Sequence, residues 1–160
     1  REIKPLEGQH VFFTGIRYAQ PYHIISRLSK RLSEDLSVLL VCAIANPTPL
    51  KTYIRQKTGH YEALYYKDHY IFTIDDLKEI IRRFKNLEGE NKIILITEKD
   101  AVRLVKFSGE LHDLPVYVLP MEIYFLFNES QQFNQQVEMF IQEFKGNLNH
   151  NYGKKEYKKH

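Results

Sequence analysis

The chain has 160 residues, 43% of them hydrophobic and 27% charged, enough for one domain with a real core. Its longest apolar run, Val38 to Ala45, is far too short to span a bilayer, and no charged-then-apolar leader pattern opens the chain. The net charge of +3 resides in residues 154–160, where Lys154, Lys155, Lys158 and Lys159 face Glu156; the remainder balances to zero and gives no reason to expect nucleic acid.

In chain order, His10 to Tyr18 is aromatic and β-branched and reads as a strand. Pro21 then permits a helix to about Leu32, with Ile24, Ile25 and Leu28 on one face. Ser37 to Ile44 is a continuous apolar run of the kind buried on both faces of a parallel sheet, and its lone Cys42 reads as a small core residue. Asn46 as N-cap and Pro47 at the first helical position predict a helix to about Thr58, closed by Gly59. His60 to Tyr66 is the next strand. Thr73 and Asp76 form a capping pair ahead of Leu77, Ile80, Ile81 and Phe84. Lys92 to Ile96 is another buried strand, and Thr97-Glu98-Lys99-Asp100 caps a helix with Ala101, Val102, Leu104 and Val105. Val116 to Leu119 completes the alternation. Met121 to Phe127 is a second aromatic strand, able to pair with the one at 10–18. Phe133, Val137, Phe140, Ile141 and Phe144 mark a C-terminal amphipathic helix with more apolar surface than a terminal helix needs. Residues 147–160 form a polar, basic tail that reads as weakly ordered, with a weak attraction to anionic headgroups as its functional alternative.

Alternating strands and helices with apolar strands predict right-handed βαβ units, hence an α/β fold with a small parallel, Rossmann-like sheet of order 2-1-3-4 and helices on both faces. A two-stranded antiparallel ribbon and the C-terminal helix complete it. Ligands in such sheets bind beyond the carboxyl ends of the strands, at the switch point, here between the strands ending near Ile44 and Ile96. The loops ending strands there hold Asn46, Asp68-His69 and Thr97-Glu98-Lys99-Asp100. An imidazole beside a carboxylate can act as a base, bind a metal or donate to a phosphate; equally, Asp68 can cap a turn and His69 be a solvated loop residue. Thr97 and Asp100 fulfil a capping pattern, and Glu98 suits the positive end of a helix. Lys99 opposes that end by up to roughly 1 kcal/mol, a placement easier to understand with an anion nearby. The remaining histidines, His10, His23, His60, His112, His150 and His160, have no ligand spacing, so no dedicated metal site is expected. Neither a G-x-S-x-G elbow nor a G-x-x-x-x-G-K-[ST] or G-x-G-x-x-G phosphate loop occurs in the chain.

Four stretches in order carry a family resemblance: Ile44-Ala-Asn-Pro47; Asp68-His69-Tyr-Ile-Phe-Thr73 with Asp76-Leu77; Thr97-Glu-Lys-Asp-Ala-Val-Arg-Leu104; and Leu114-Pro-Val-Tyr-Val-Leu-Pro120. Over residues 10–127 the chain resembles the C-terminal domain of the tetraacyldisaccharide 4'-kinases. That family uses ATP and Mg2+ to phosphorylate a lipid A precursor at the cytoplasmic face of the inner membrane of Gram-negative bacteria. The resemblance implies that a P-loop lobe bearing the phosphate and Mg2+ ligands and an aspartate base lies outside this sequence, consistent with a chain that starts at Arg1 rather than Met. With it the chain divides into 1–36 as linker strand and helix toward that lobe, 37–120 as α/β domain and 121–146 as return strand and C-terminal helix, followed by the basic tail 147–160 read from composition. The resemblance gives His69 a place at the reaction centre, orienting or assisting the aspartate, with Asp68 positioning it. Asn46 and Thr97 to Asp100 would border the nucleotide cleft. The chain departs from the family at Ala43, where a glycine is usual, which changes how closely a ligand can approach that turn. Alone, the chain is expected to lack kinase activity. The contrasting expectation is a non-enzymatic α/β module that binds a partner through its aromatic strands and C-terminal helix.

Overall fold

The structure, a computed structural model, describes residues 3–152, with side chains to Lys145. The elements are β1 (Thr14–Tyr18), β2 (Tyr22–His23), β3 (Ser37–Cys42), α1 (Thr48–Arg55), β4 (His60–Tyr65), α2 (Ile74–Asn86), β5 (Lys92–Thr97), α3 (Glu98–Leu104), α4 (Ser108–Leu111), β6 (Val116–Leu119), β7 (Met121–Phe125) and α5 (Ser130–Tyr152). They form two compact units, one of residues up to Arg17 together with those from Ile123 on, the other Tyr18–Glu122.

The α/β unit is organised by β3, whose six residues are all buried. It pairs in parallel with β4 on one side and β5 on the other, and β5 pairs in parallel with β6. This is the expected 2-1-3-4 order. Alternate residues feed opposite faces, as the strand period of two demands. Leu39, Val41, Ile94 and Ile96 meet Leu77, Ile80 and Phe84 of α2 on one face. Val38, Leu40, Ile93 and Leu95 meet Leu50 and Ile54 of α1 on the other. Each such side chain removed from water contributes about 1.5–3 kcal/mol before chain entropy is counted, so the sheet is the rigid base of the unit.

The segment 21–32 departs from its expected helix. Tyr22 and His23 instead pair antiparallel with Val118 and Tyr117, adding a fifth strand at the edge of the sheet. The chain then turns back, with Arg27 at a φ of 62°. The turn holds because the His23 ring nitrogen accepts from the amides of Ile25 (3.3 Å) and Ser26 (3.1 Å), while the other ring nitrogen lies 3.0 Å from the Leu114 carbonyl. Of the residues expected on one helical face, Ile24 is buried and Leu28 is 71% exposed.

Smaller differences are local. The cap of α1 falls one residue later than expected, on Pro47, while the Asn46 side chain accepts from the Thr48 amide at 3.1 Å. Gly59 is required by close approach rather than by helix termination: an added Cβ would lie 2.0 Å from the Glu34 carbonyl oxygen. The Thr73–Asp76 capping box forms as expected.

In the other unit, β1 begins at Thr14 rather than His10, and β7 ends at Phe125, giving way to a one-turn corner with positive φ at Phe127 and Asn128. β1 and β7 form a two-stranded ribbon. Backbone bonds from Leu126 to Phe13 (2.8 Å) and from Ala19 to Pro120 (3.1 Å) at its ends show it to be antiparallel. α5 runs to Tyr152, into the segment expected to be tail, and the tail residues 153–160 lie outside the described residues.

Candidate functional site

The loop that follows β4 is a tight turn on an aromatic footing. Tyr66 extends the strand ladder by donating to the Cys42 carbonyl at 2.9 Å, and the Tyr70 amide closes the turn on the Lys67 carbonyl at 3.1 Å. Tyr66, Tyr70 and Phe72 pack ring against ring, with centroids 4.8–5.5 Å apart, and Phe72 is fully buried. The Tyr70 hydroxyl donates to the Asp76 carboxylate at 3.1 Å, tying the turn to the start of α2. Burial and nearby acidic groups push the Tyr66 hydroxyl up to about 12, so it stays a neutral member of this footing.

On that footing stand Asp68 and His69. His69 sits at a φ of 60°, a left-handed conformation that costs a non-glycine residue about 1–2 kcal/mol and that the anchored turn imposes. Its amide donates to Asp68 Oδ1 at 2.9 Å. Its ring is 78% exposed, with Nε2 3.6 Å from Asp68 Oδ2. Lys99 Nζ donates to Asp68 Oδ1 at 2.5 Å. That bond, joined by the His69 amide against the opposing effect of desolvation, holds the Asp68 carboxyl below the usual carboxylate range.

The loop that follows β5 divides its residues between two tasks. Thr97 and Asp100 are fully buried. Thr97 Oγ1 accepts from the Asp100 amide (3.3 Å) and donates to Asp100 Oδ2 (2.7 Å). Asp100 Oδ2 also accepts from the Ala43 amide at 3.1 Å, and Arg103 lies 3.6 Å from Oδ1. Since β3 and β5 are neighbours, Asp100 staples the two strand ends on either side of the switch point. These are structural bonds, and Asp100 has no exposed surface to offer a ligand. Ala43, the departure from the family pattern, is buried in the core.

Lys99 and Glu98 point to different duties. β4 and β5 flank β3, so the Lys99–Asp68 pair spans the end of β3. It also answers why a cation occupies the first turn of α3: the compensating anion is the Asp68 carboxylate. Glu98 Oε2 accepts from the Met121 amide at 3.4 Å. It lines a cleft of about 300 Å³ with Tyr22, Ile24, Arg27 and Val118. Asn46 is engaged at the start of α1.

The structure thus brings together Asp68, His69 and Lys99, sets Thr97 and Asp100 beneath the loops, and gives Glu98 and Asn46 separate local bonds. Sequence reasoning gave no part to Tyr70 or Arg103. The signal for Tyr70 was present, an aromatic directly after Asp68-His69 and six residues before a capping aspartate. The cluster offers a carboxylate hydrogen-bonded to an ammonium, with an exposed imidazole 3.6 Å from the same carboxylate, which suits proton handling and the binding of anionic oxygen. As a magnesium site it does not fit. Asp68 is paired with Lys99, Asp76 with Thr73 and Tyr70, and Asp100 with Ala43 and Thr97. Among the described residues no group of three or more His, Cys, Asp or Glu could hold a metal ion.

A family model described as tetraacyldisaccharide-1-P 4'-kinase matches residues 4–142. The tetraacyldisaccharide 4'-kinase of Bacteroides thetaiotaomicron is 31% identical over 149 residues, covering 84% of this chain and 39% of that protein. The protein of the same description from Parabacteroides distasonis is 34% identical over 144 residues, covering 83% of this chain and 38% of that one. A crystal structure of LpxK from Aquifex aeolicus in complex with ATP aligns with 86% of this chain and 39% of its own, at 14% identity and a TM-score of 0.47, a superposition too loose to argue from. The chain spans about two fifths of the length of the curated relatives it matches.

Proposed function

The chain belongs to the tetraacyldisaccharide-1-P 4'-kinase family, and from that premise we propose that it is the α/β lobe completing the active site of an ATP-dependent lipid kinase. The reaction is in-line transfer of the γ-phosphoryl group of ATP to the 4'-hydroxyl of a tetraacyldisaccharide 1-phosphate, a lipid A precursor. Positioning and charge neutralisation supply most of the catalysis in such transfers. A P-loop lobe in the remainder of the polypeptide supplies the phosphate cradle, the attacking-group base and the ligands of any Mg2+ that accompanies the nucleotide. The lipid substrate places the enzyme at the cytoplasmic face of the inner membrane, as a peripheral protein; no described helix is long and apolar enough to cross a membrane.

The observation that carries this reading is the presentation of His69. A largely exposed imidazole, held in a strained backbone conformation on an anchored turn, is poised to meet a group on an opposing surface. Its part is to orient and assist the aspartate of the other lobe as the sugar hydroxyl gives up its proton. Asp68 fixes the turn through the His69 amide, and the bond from Lys99 holds its carboxyl below the usual carboxylate range. Lys99, Asn46, Thr97, Glu98 and Asp100 make up the border of the nucleotide cleft, with Lys99 the member whose charge favours phosphate oxygens and Thr97 and Asp100 acting through the backbone they fix.

In the full-length protein, His69→Ala is expected to lower kcat by about 10²–10⁴-fold, the range for loss of an acid–base group. KM for ATP and the melting temperature are expected to stay near wild type. Activity within about threefold of wild type would remove His69 from the reaction, and an equal loss of folded protein would make its role structural.

A further inference from the structure

Tyr70 follows His69 directly, and its hydroxyl makes a bond that neither packing nor helix capping calls for. The ring packs beneath the turn, its centroid 4.8 Å from that of Tyr66 and 5.5 Å from that of Phe72. A phenylalanine would fill that place equally well. The hydroxyl donates to Asp76 Oδ1 at 3.1 Å and lies 3.2 Å from Oδ2. The cap of α2 runs through Oδ2 alone, which accepts from the Thr73 amide (2.8 Å) and the Thr73 hydroxyl (2.7 Å). The capping box is therefore complete without Tyr70. The bond to Asp76 also raises the Tyr70 hydroxyl above the usual tyrosine range, so it remains a donor at neutral pH.

What the hydroxyl does fix is the turn. Residue 70 is held at its amide by the Lys67 carbonyl (3.1 Å) and at the tip of its side chain by α2. His69 stands just before it at a φ of 60°, a conformation that persists in a non-glycine residue only where the surroundings over-determine it. The His69 ring, 78% exposed, is in no position to hold the backbone there. A hydrogen bond onto a carboxylate belongs to the stronger class, and this one ends one residue from the strained position. We infer that Tyr70 is a positioning residue for phosphoryl transfer, its hydroxyl pinning the turn so that the His69 imidazole is presented in one place. This rests on the role proposed for His69 above.

The test is a double-mutant cycle in the full-length protein, comparing wild type, Tyr70→Phe, His69→Ala and the two combined. Tyr70→Phe is expected to lower kcat about tenfold, less than the roughly 10²-fold that a misplacement of about 1 Å can cause, and to leave KM for ATP unchanged. The combined variant is expected to be no slower than His69→Ala alone, because Tyr70 then has nothing to position. The NMR order parameter of the His69 amide is expected to fall in Tyr70→Phe from about 0.85 toward about 0.6. Thr73→Ala weakens the α2 cap and spares the Tyr70 bond. It is expected to lower the melting temperature with kcat near wild type, which sets loss of stability apart from loss of position. A kcat for Tyr70→Phe within about twofold of wild type overturns the proposal. So does a combined loss equal to the product of the single losses, an unchanged order parameter, or an equal fall in kcat for Thr73→Ala. A His69→Ala enzyme near wild type removes the role of His69 and this proposal with it. A slow His69→Ala beside a normal Tyr70→Phe removes this proposal alone.

Discussion

Removing the Asp100 carboxylate is expected to cost the fold far more than its place in a helix cap suggests. Its Oδ2 accepts from the Ala43 amide at 3.1 Å and the Thr97 hydroxyl at 2.7 Å, and its Oδ1 faces Arg103. Asp100→Ala leaves the Ala43 amide buried without an acceptor, a penalty of about 1–3 kcal/mol. The Thr97 hydroxyl, also buried, loses its acceptor at a further cost of about 1 kcal/mol. Arg103, only 22% exposed, loses its counter-charge. The sum is about 3–5 kcal/mol, the range for breaking a buried charge pair. The shift is about 2–4 °C per kcal/mol for a protein of 150–250 residues and smaller for a longer chain, so the melting temperature of the full-length protein falls by about 5 °C. Asp100→Asn retains an oxygen acceptor in place and should lose about a third of that. Differential scanning calorimetry of the three proteins decides the matter. A melting temperature for Asp100→Ala within about 2 °C of wild type, or an Asn variant less stable than the Ala variant, would refute the staple between β3 and β5.

Two further perturbations test other parts of the argument. Lys99 holds the Asp68 carboxyl below its ordinary range, so the stabilisation from this bond is complete above the unfolded value near about pH 4 and is lost as pH falls through the lowered folded value. Carboxyl NMR titration should show Asp68 moving upward toward the ordinary range in Lys99→Met, and an unchanged titration would show that Lys99 is not its partner. Gly59→Ala would drive a methyl group against the Glu34 carbonyl, so it should destabilise by about 1–3 kcal/mol in denaturant unfolding; a neutral result would mean that the chain at 34 yields freely.

The alternation of strands and helices was legible because each buried strand is a short continuous apolar run and the α2 cap announces itself locally. The right-handed crossover rule then allowed few orders. β2 was illegible for the opposite reason. Two residues are too few to show a period, and the spacing of Ile24, Ile25 and Leu28 imitates a helix face although only Ile24 is buried. What holds that turn is the His23 ring, a contact no spacing rule encodes. Gly59 was misread because a glycine after a helix looks the same whether it ends the helix or admits a distant carbonyl. At the site, the bonds between Thr97 and Asp100 lie three residues apart and could be read. The bond from Asp100 to Ala43 spans 57 positions and the one from Lys99 to Asp68 spans 31, and only folding brings those partners together. Lys99 looked anomalous in the sequence because its counter-charge was on another loop.

The ends of the α/β unit meet: the Ala19 amide donates to the Pro120 carbonyl at 3.1 Å, just inside the points where the chain crosses from one unit to the other. A module whose entrance and exit are adjacent occupies no more of its host's backbone than a surface loop does. Residues 18–122 therefore have the geometry of an inserted cassette, of the kind that can be spliced into a turn or circularly permuted without stretching either partner. Gain or loss of such a module asks for one site in a host gene rather than two.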